Sequence, residues 1–441
     1  MLRRARAVNP SGAVVRLGEA NFPAPFASVL EFNAPVHGTW NIVHTGMLVP
    51  QAQQVYVCAA NCMRGVTLTA AEMNELDRFS FVLLEERDLV EGTVEEVTLE
   101  GVTDVLRKLD KLPPAVLLFT VCVHHFLGCD YDFLYQNLAE RFPTVDFCRC
   151  YMDPILQKGG PTPDQKLRRS MYELLRPLPA HKGVVTLLGS DFSTDETGDL
   201  AAYLREIGYE LRQLPDCRTY GEFLALAEAE LFVSVYPNAL LGAKAAAERF
   251  GRPHLYLPQC FSFEEIDQSL GRLSQALGLP RPDTVPLCRR AEAALAETRA
   301  LVGETPVAID CTVHPRPLGL ARLLLEHGFR VDTVYLDGIS PEEEADFRAL
   351  QRTAPDLLLK ATIRPEARVL PRGRAQKVLA VGQKAAWFED TPHFVNLVQG
   401  AGLWGYDGIC RLCEQMREAF LEEKDTEDLV PRKGWGCESC V

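Results

Sequence analysis

Several things this sequence lacks each remove a class of function. No apolar run approaches the roughly 20 residues that a membrane span needs. The basic start MLRRARAVNPSG is not followed by the apolar stretch of a secretory signal. A cytoplasmic protein with no membrane partner is therefore expected. There is no G-x-x-x-x-G-K-[ST] loop, so the chain is not expected to hydrolyse ATP itself, and no G-x-S-x-G elbow to carry a serine nucleophile. Basic residues are in deficit: 46 Lys+Arg stand against 60 Asp+Glu, a net charge of −14. Such a surface repels phosphate backbones, which argues against nucleic acid as a partner and suits docking of a basic protein.

What is present is an ordinary globular composition, 47% hydrophobic and 24% charged. At 441 residues the chain exceeds a single core and implies about two to four domains. From residue 181 buried strands alternate with short helices: GVVTLLGSD, YELRQLP, ELFVSVYP and PHLYLP are strands, and ETGDLAAYLREIG and LGAKAAAERFG are helices stopped by glycine. The cycle restarts at PVAID (306–310) and closes with CRLCEQMREAFLEE as a helix. Alternation of this kind implies parallel βαβ units. The expected fold is α/β, with three Rossmann-like doubly wound domains and mostly parallel sheets. These are 1–180, which carries the cysteine cluster, 181–290 and 305–425, with a Cys-containing tail at 426–441. Residues 279–305, rich in Pro, Arg and Ala, are expected to join the second and third domains.

Cysteine use is the most informative feature. A reducing cytosol disfavours disulfides, leaving metal binding or plain burial for the 14 cysteines. Six lie between Cys58 and Cys150. In AVLLFTVCVHHFLGCDYDFLYQNL (115–138), Cys122 ends a parallel strand and Cys129 is expected at the N-terminus of the next helix, where the dipole lowers a thiol's pKa. VYVCAANCMRGV repeats the layout with Cys58 and Cys62, before a helix start at TLTAAEM. Ligands bind at this edge of open α/β sheets, and four thiolates are enough for a Cys₄ iron–sulfur cluster or a zinc site. Burial is the commoner role of any single cysteine taken alone. His124 and His125, adjoining Cys122, read either as proton donors or ligands or as ordinary strand-end histidines. Cys148 and Cys150 in FCRCYMD share a strand face and read as packing, as do the cysteines of GICRLC (408–413) on a helix. The C-x-x-C of Cys437 and Cys440 has no partner pair, and GAGLWG (400–405) lacks the strand and acid that a dinucleotide site needs.

VHGTWNIVHTG (36–46), VYVCAANC, FTVCVHHFLGCD (119–130), AKAAAERFGRPHLYLP (243–258) and GLWGYDGICRL (402–412), in this order, resemble a nitrogenase component 1-type protein. That family comprises the catalytic subunits of nitrogenase, of the dark-operative protochlorophyllide and chlorophyllide reductases, and of the nickel-tetrapyrrole reductase of coenzyme F430 synthesis. The resemblance implies an iron–sulfur cluster, [4Fe–4S] in type, near a subunit interface. It also implies a homodimer or a heterodimer with a related subunit, and a separate ATP-hydrolysing iron–sulfur reductase protein that delivers electrons. Cys122 matches the family's strand-end cysteine and Cys62 an earlier cluster cysteine; Cys58 and Cys129 join them on local geometry. Where nitrogenase has the cysteine of its large cofactor this chain has Val235, with no thiol between Cys217 and Cys260, and His393 is out of register for the cofactor's histidine. The expectation is a nitrogenase-like reductase acting on an organic or tetrapyrrole-like small molecule rather than dinitrogen, with His44, His124 or His125 supplying protons. A non-catalytic scaffold for metallocluster assembly and a structural zinc protein are the alternatives.

Overall fold

The computed structural model describes residues 10–27, 42–153 and 160–425. Residues 36–41 of VHGTWNIVHTG and the tail cysteines Cys437 and Cys440 lie outside the described residues. The strands, in chain order, are β1 (Val14–Arg16), β2 (Gln53–Cys58), β3 (Phe79–Leu83), β4 (Ala115–Val121), β5 (Asp146–Met152), β6 (Val184–Leu187), β7 (Glu210–Gln213), β8 (Leu231–Ser234), β9 (His254–Tyr256), β10 (Val307–Asp310), β11 (Val331–Tyr335), β12 (Leu358–Lys360), β13 (Leu379–Val381) and β14 (Phe394–Val395). They form three sheets, ordered β3-β2-β4-β5, β7-β6-β8-β9 and β1-β12-β11-β10-β13-β14. Every pairing is parallel except that of β1 with β12. The fold is thus α/β with Rossmann-like, mostly parallel sheets.

Chain contacts separate two compact units. One is made from the described residues within Met1–Asn33, Thr194–Glu206 and Pro258–Val441, and the other from those within Ala34–Ser193 and Ile207–Leu257. The second of these holds the first two sheets. Its central strands, QQVYVC and AVLLFTV, are buried along their whole length, as expected of strands covered by helices on both faces. Tyr56 on β2 stacks on Phe119 of β4 with ring centroids 4.2 Å apart. The helix Val94–Lys108 has Glu95 and Glu96 in its first turn and Arg107 and Lys108 in its last, a distribution that complements the helix dipole. The helix Pro163–Glu173 starts with proline, and the Thr162 hydroxyl accepts from Gln165 N while Gln165 accepts from Thr162 N, satisfying two otherwise orphaned donors.

Two local expectations are corrected. The helix after β2 begins at Ala60, not at TLTAAEM, so Cys62 lies in its first turn, with Cys62 N donating to Ala59 O at 2.9 Å. Alanine, methionine and arginine are good helix formers, and nothing in AANCMR interrupts them. The expected linker contains an 18-residue helix, Val285–Val302. Its alanines and the spacing of buried Ala291, Leu295, Thr298 and Val302 make one face that packs on the helix Gly405–Leu421, where Arg417 donates to Thr298 Oγ1 at 2.9 Å.

In the unit that carries the third sheet, the helix Pro317–Glu326 is capped by a buried carboxyl. Glu343 Oε1 accepts from Leu318 N at 2.6 Å and Gly319 N at 3.2 Å. Burial nevertheless dominates and pushes Glu343 up to about 8 from the ordinary value of 4.5. Because the folded value is the higher one, the contribution to stability is complete below about pH 4.5 and is lost as pH rises to about 8. Urea titrations between pH 5 and 8 should show the wild type losing up to about 1.4 kcal/mol per pH unit more than Glu343→Gln. Equal slopes for the two proteins would contradict this.

Candidate functional site

In the first sheet the chain leaves β2 toward β3 on one side and reaches β4 on the other. The loops therefore part over a crevice at the C-terminal ends of β2 and β4, where open α/β sheets bind ligands. The parallel register sets Tyr56 opposite Phe119, two residues before the strands end at Cys58 and Val121. Three of the four expected thiols lie on the segments that leave these two strand ends. Cys58 ends β2 and is buried; Cys62 is exposed in the first turn of the helix Ala60–Glu72; Cys122 is half-buried at the start of the helix Cys122–Phe126. Burial pushes Cys58 up to about 12, with Cys62 adding to the rise, and burial raises Cys62, with Cys122 adding to it.

Cys129 is different. It precedes the helix Tyr131–Arg141, which Asp130 caps by accepting from Phe133 N at 3.0 Å, so the thiol stands outside the helix rather than at its first amide. The expected lowering of its pKa does not occur: burial raises it, and Glu95 raises it further. The short range of the helix dipole explains the difference.

The histidines are dispersed. His124 is wholly buried, accepting at Nδ1 from Val121 N at 3.3 Å and lying 3.0 Å from Thr98 Oγ1 through Nε2. Burial holds its pKa down to about 4, so the ring is neutral. His125 is exposed beside Phe126. His44 is buried in the helix Ile42–Met47, away from solvent. Cys148 and Cys150 are buried on β5 with sulfurs 3.6 Å apart, and Cys410 and Cys413 are buried on the helix Gly405–Leu421, all four in packed positions. His393 Nδ1 sits 3.0 Å from Ala419 O, near the far end of that helix from the GYDG turn.

Thiolate sulfur is the donor that iron–sulfur clusters and zinc take, so the set fits such a group in kind. It falls short in number: among the described residues no group of three or more His, Cys, Asp or Glu side chains is arranged to hold a metal ion. The rim is apolar and open, with Phe126 67%, Leu127 49% and Phe133 48% exposed.

Sequence reasoning missed a second feature of the same unit. At the equivalent crevice of the second sheet, between β6 and β8, Arg168 is completely buried. Its guanidinium donates to Asp164 at 2.9 Å, to Gly189 O at 2.9 Å, to Asp191 at 3.0 Å and to Thr45 Oγ1 at 3.3 Å. Asn238 donates to the other oxygen of Asp164 at 2.6 Å, and the Tyr236 ring lies 5.3 Å from the guanidinium carbon. Val235, the position expected to replace the nitrogenase cofactor cysteine, is buried next to these residues. The one hint in the sequence was an Asp and an Arg at i and i+4 in PDQKLRRSMYE, on a face that would otherwise be read as surface.

The mostly parallel sheets, with cysteines at the strand ends of the first, define an α/β protein of the Rossmann-like kind. The model of the nitrogenase component 1 type oxidoreductase family matches residues 48–421, and the chain belongs to that family. Among solved structures it resembles nitrogenase Cp1 at pH 6.5, with 13% identity, a TM-score of 0.64, and coverage of 96% of this chain and 94% of that one. It also resembles nitrogenase Cp1 at pH 5, with 12% identity, a TM-score of 0.56, and 96% coverage of both chains. At these identities the likeness is one of fold. Comparison with curated proteins gave no match. No helix among the described residues is long and apolar enough to cross a membrane.

Proposed function

We propose that this protein is the electron-accepting subunit of a nitrogenase-like reductase. Cys58, Cys62 and Cys122 would hold part of an iron–sulfur cluster, [4Fe–4S] in type, whose remaining ligands come from a second subunit, identical or related. The observation that carries this reading is the placement of Cys58 at the end of β2, Cys62 in the first turn of the following helix and Cys122 directly after the neighbouring strand β4, in a component 1-type chain. The exposed apolar rim beside Cys122 supports completion by another chain.

When bound, such a cluster stores and passes single electrons at low potential. The chain has no ATP-binding loop, and the electrons come from a separate ATP-hydrolysing iron–sulfur protein. The substrate is an organic or tetrapyrrole-like small molecule. His125, exposed beside the thiols, is the histidine suited to exchanging protons with solvent; His124 is enclosed, and His44 adjoins Thr45 in the Arg168 cluster.

A scaffold for cluster assembly is favoured by one observation, the filling of the β6–β8 crevice by Arg168 and its partners. Anaerobic purification followed by iron, sulfide and zinc analysis is the first test. Iron with equimolar inorganic sulfide is expected; stoichiometric zinc without sulfide would overturn both iron–sulfur readings. Electron transfer from a cognate reductase protein with ATP then supports the reductase over the scaffold. Transfer of the intact cluster to another protein supports the scaffold.

A further inference from the structure

We infer that His124 is a positioning residue for Cys122, fixing the direction in which that thiol leaves β4. The inference rests on the reading of Cys122 as a cluster ligand. Cys122 is the first residue beyond β4, where the sheet's hydrogen bonding stops. A thiol there would ordinarily inherit the looseness of a strand-to-helix turn. Here the turn is tied at both sides of the cysteine by one imidazole. Val121 N donates to Nδ1 at 3.3 Å, so the ring proton is on Nε2, which lies 3.0 Å from Thr98 Oγ1. The Thr98 hydroxyl donates in turn to Val94 O at 2.7 Å and is left to accept from the ring.

The ring thus bolts the end of β4 to the helix Val94–Lys108, and both its nitrogens are committed. The loop that follows is built around the same residue: Cys129 N donates to His124 O at 3.0 Å, and Asp130 N to Glu95 Oε1 at 2.6 Å. Cys122 stands between two anchored points, Val121 N and the His124 ring, and its Cα–Cβ direction follows from them. With no exposed surface, His124 has no path to pass a proton to a substrate. Its chemistry is to hold one tautomer, as partners of metal-ligating groups do when they set a ligand's orientation.

Three variants of the full chain separate positioning from simple anchoring. Asn at 124 keeps an acceptor close to the Nδ1 position for Val121 N but cannot reach Thr98. Gln reaches Thr98 but offers no acceptor near Nδ1. Leu offers neither. In metal-free protein the rate of Cys122 alkylation by iodoacetamide is followed by peptide mass spectrometry. After anaerobic reconstitution with ferrous iron and sulfide, iron content and the paramagnetic resonance spectrum of the reduced protein are recorded.

His124→Asn should stay within about twofold of wild type in both readouts. His124→Gln and His124→Leu should alkylate about tenfold faster and bind iron at least about tenfold more weakly, the size of effect that orienting partners have at metal sites. The reverse order, Gln behaving as wild type and Asn defective, would mean that His124 only anchors the helix, and three variants indistinguishable from wild type would overturn the inference outright. Should His124→Leu fail to fold, the Asn–Gln comparison still decides. If wild-type protein takes up no iron and sulfide, the proposed function fails, while the alkylation order still tests His124.

Discussion

Cys62→Ser and Cys122→Ser should each lower bound iron by well over tenfold after anaerobic reconstitution, whereas Cys129→Ser should retain wild-type iron. Serine oxygen is a hard, weakly acidic donor and replaces a soft thiolate poorly on iron–sulfur sites. Loss of an orienting partner alone costs 10- to 100-fold in metal affinity, so loss of a direct ligand exceeds that. The contrast with Cys129 is the informative part. Burial raises Cys62 with Cys122 adding to the rise, whereas at Cys129 burial acts together with Glu95. Cys58→Ser should also lose iron, because Cys58 ends β2 directly before the helix that carries Cys62. Iron assays on the purified variants check all four, and full iron in both Cys62→Ser and Cys122→Ser would refute the ligand assignment even though the family stands.

Arg168→Met should destabilise the protein by about 3–5 kcal/mol, the cost of stranding a buried partner charge. For a unit of this size that is on the order of 10 °C in Tm. Arg168 is sealed from solvent together with Asp164, and burial already raises the pKa of Asp164 despite the neighbouring guanidinium. With the cation gone, two carboxylates face each other, and one must take up a proton or draw in water. The network also gathers separate parts of one unit. Thr45 comes from the helix before β2, Gly189 and Asp191 from the loop after β6, and Asn238 from the turn after β8. Gly189 has no room for a side chain, since a Cβ there would lie 1.9 Å from that of Ala239. Combining Arg168→Met with Asp164→Asn and Asp191→Asn should recover much of the loss, because removing all charges together leaves none unpaired. Thermal and urea unfolding measure both effects, and a single Arg168→Met variant as stable as wild type would show the cluster to be energetically idle.

Much of the fold was legible because parallel strands in this chain are nearly continuous apolar runs. AVLLFTV, GVVTLL and ELFVSV could only be buried strands, and the glycines after LGAKAAAERF and before the strands marked the helix ends. Legibility failed where a segment lacked such marks. The Ala-rich stretch at 285–302 looked like a joiner because its charges hide a narrow apolar face, and only the surface of the helix Gly405–Leu421 reveals what that face is for. Cys129 was grouped with the other thiols for its expected place at a helix N-terminus, whereas it precedes the Asp130 cap of that helix.

By itself, then, the sequence determined the parallel α/β architecture and the resemblance to component 1-type oxidoreductases. Those depend on local hydrophobic pattern and on residues close in the chain. That Cys58 and Cys122 leave neighbouring strands, that His124 is enclosed and His125 is not, and that an arginine in a polar-looking helix is the centre of a buried cluster were decided only by the tertiary structure. Sheet order is the physical reason. β2 and β4 are neighbours although β3 lies between them in the chain, and so the crevice, with whatever gathers in it, exists only once the strands have paired.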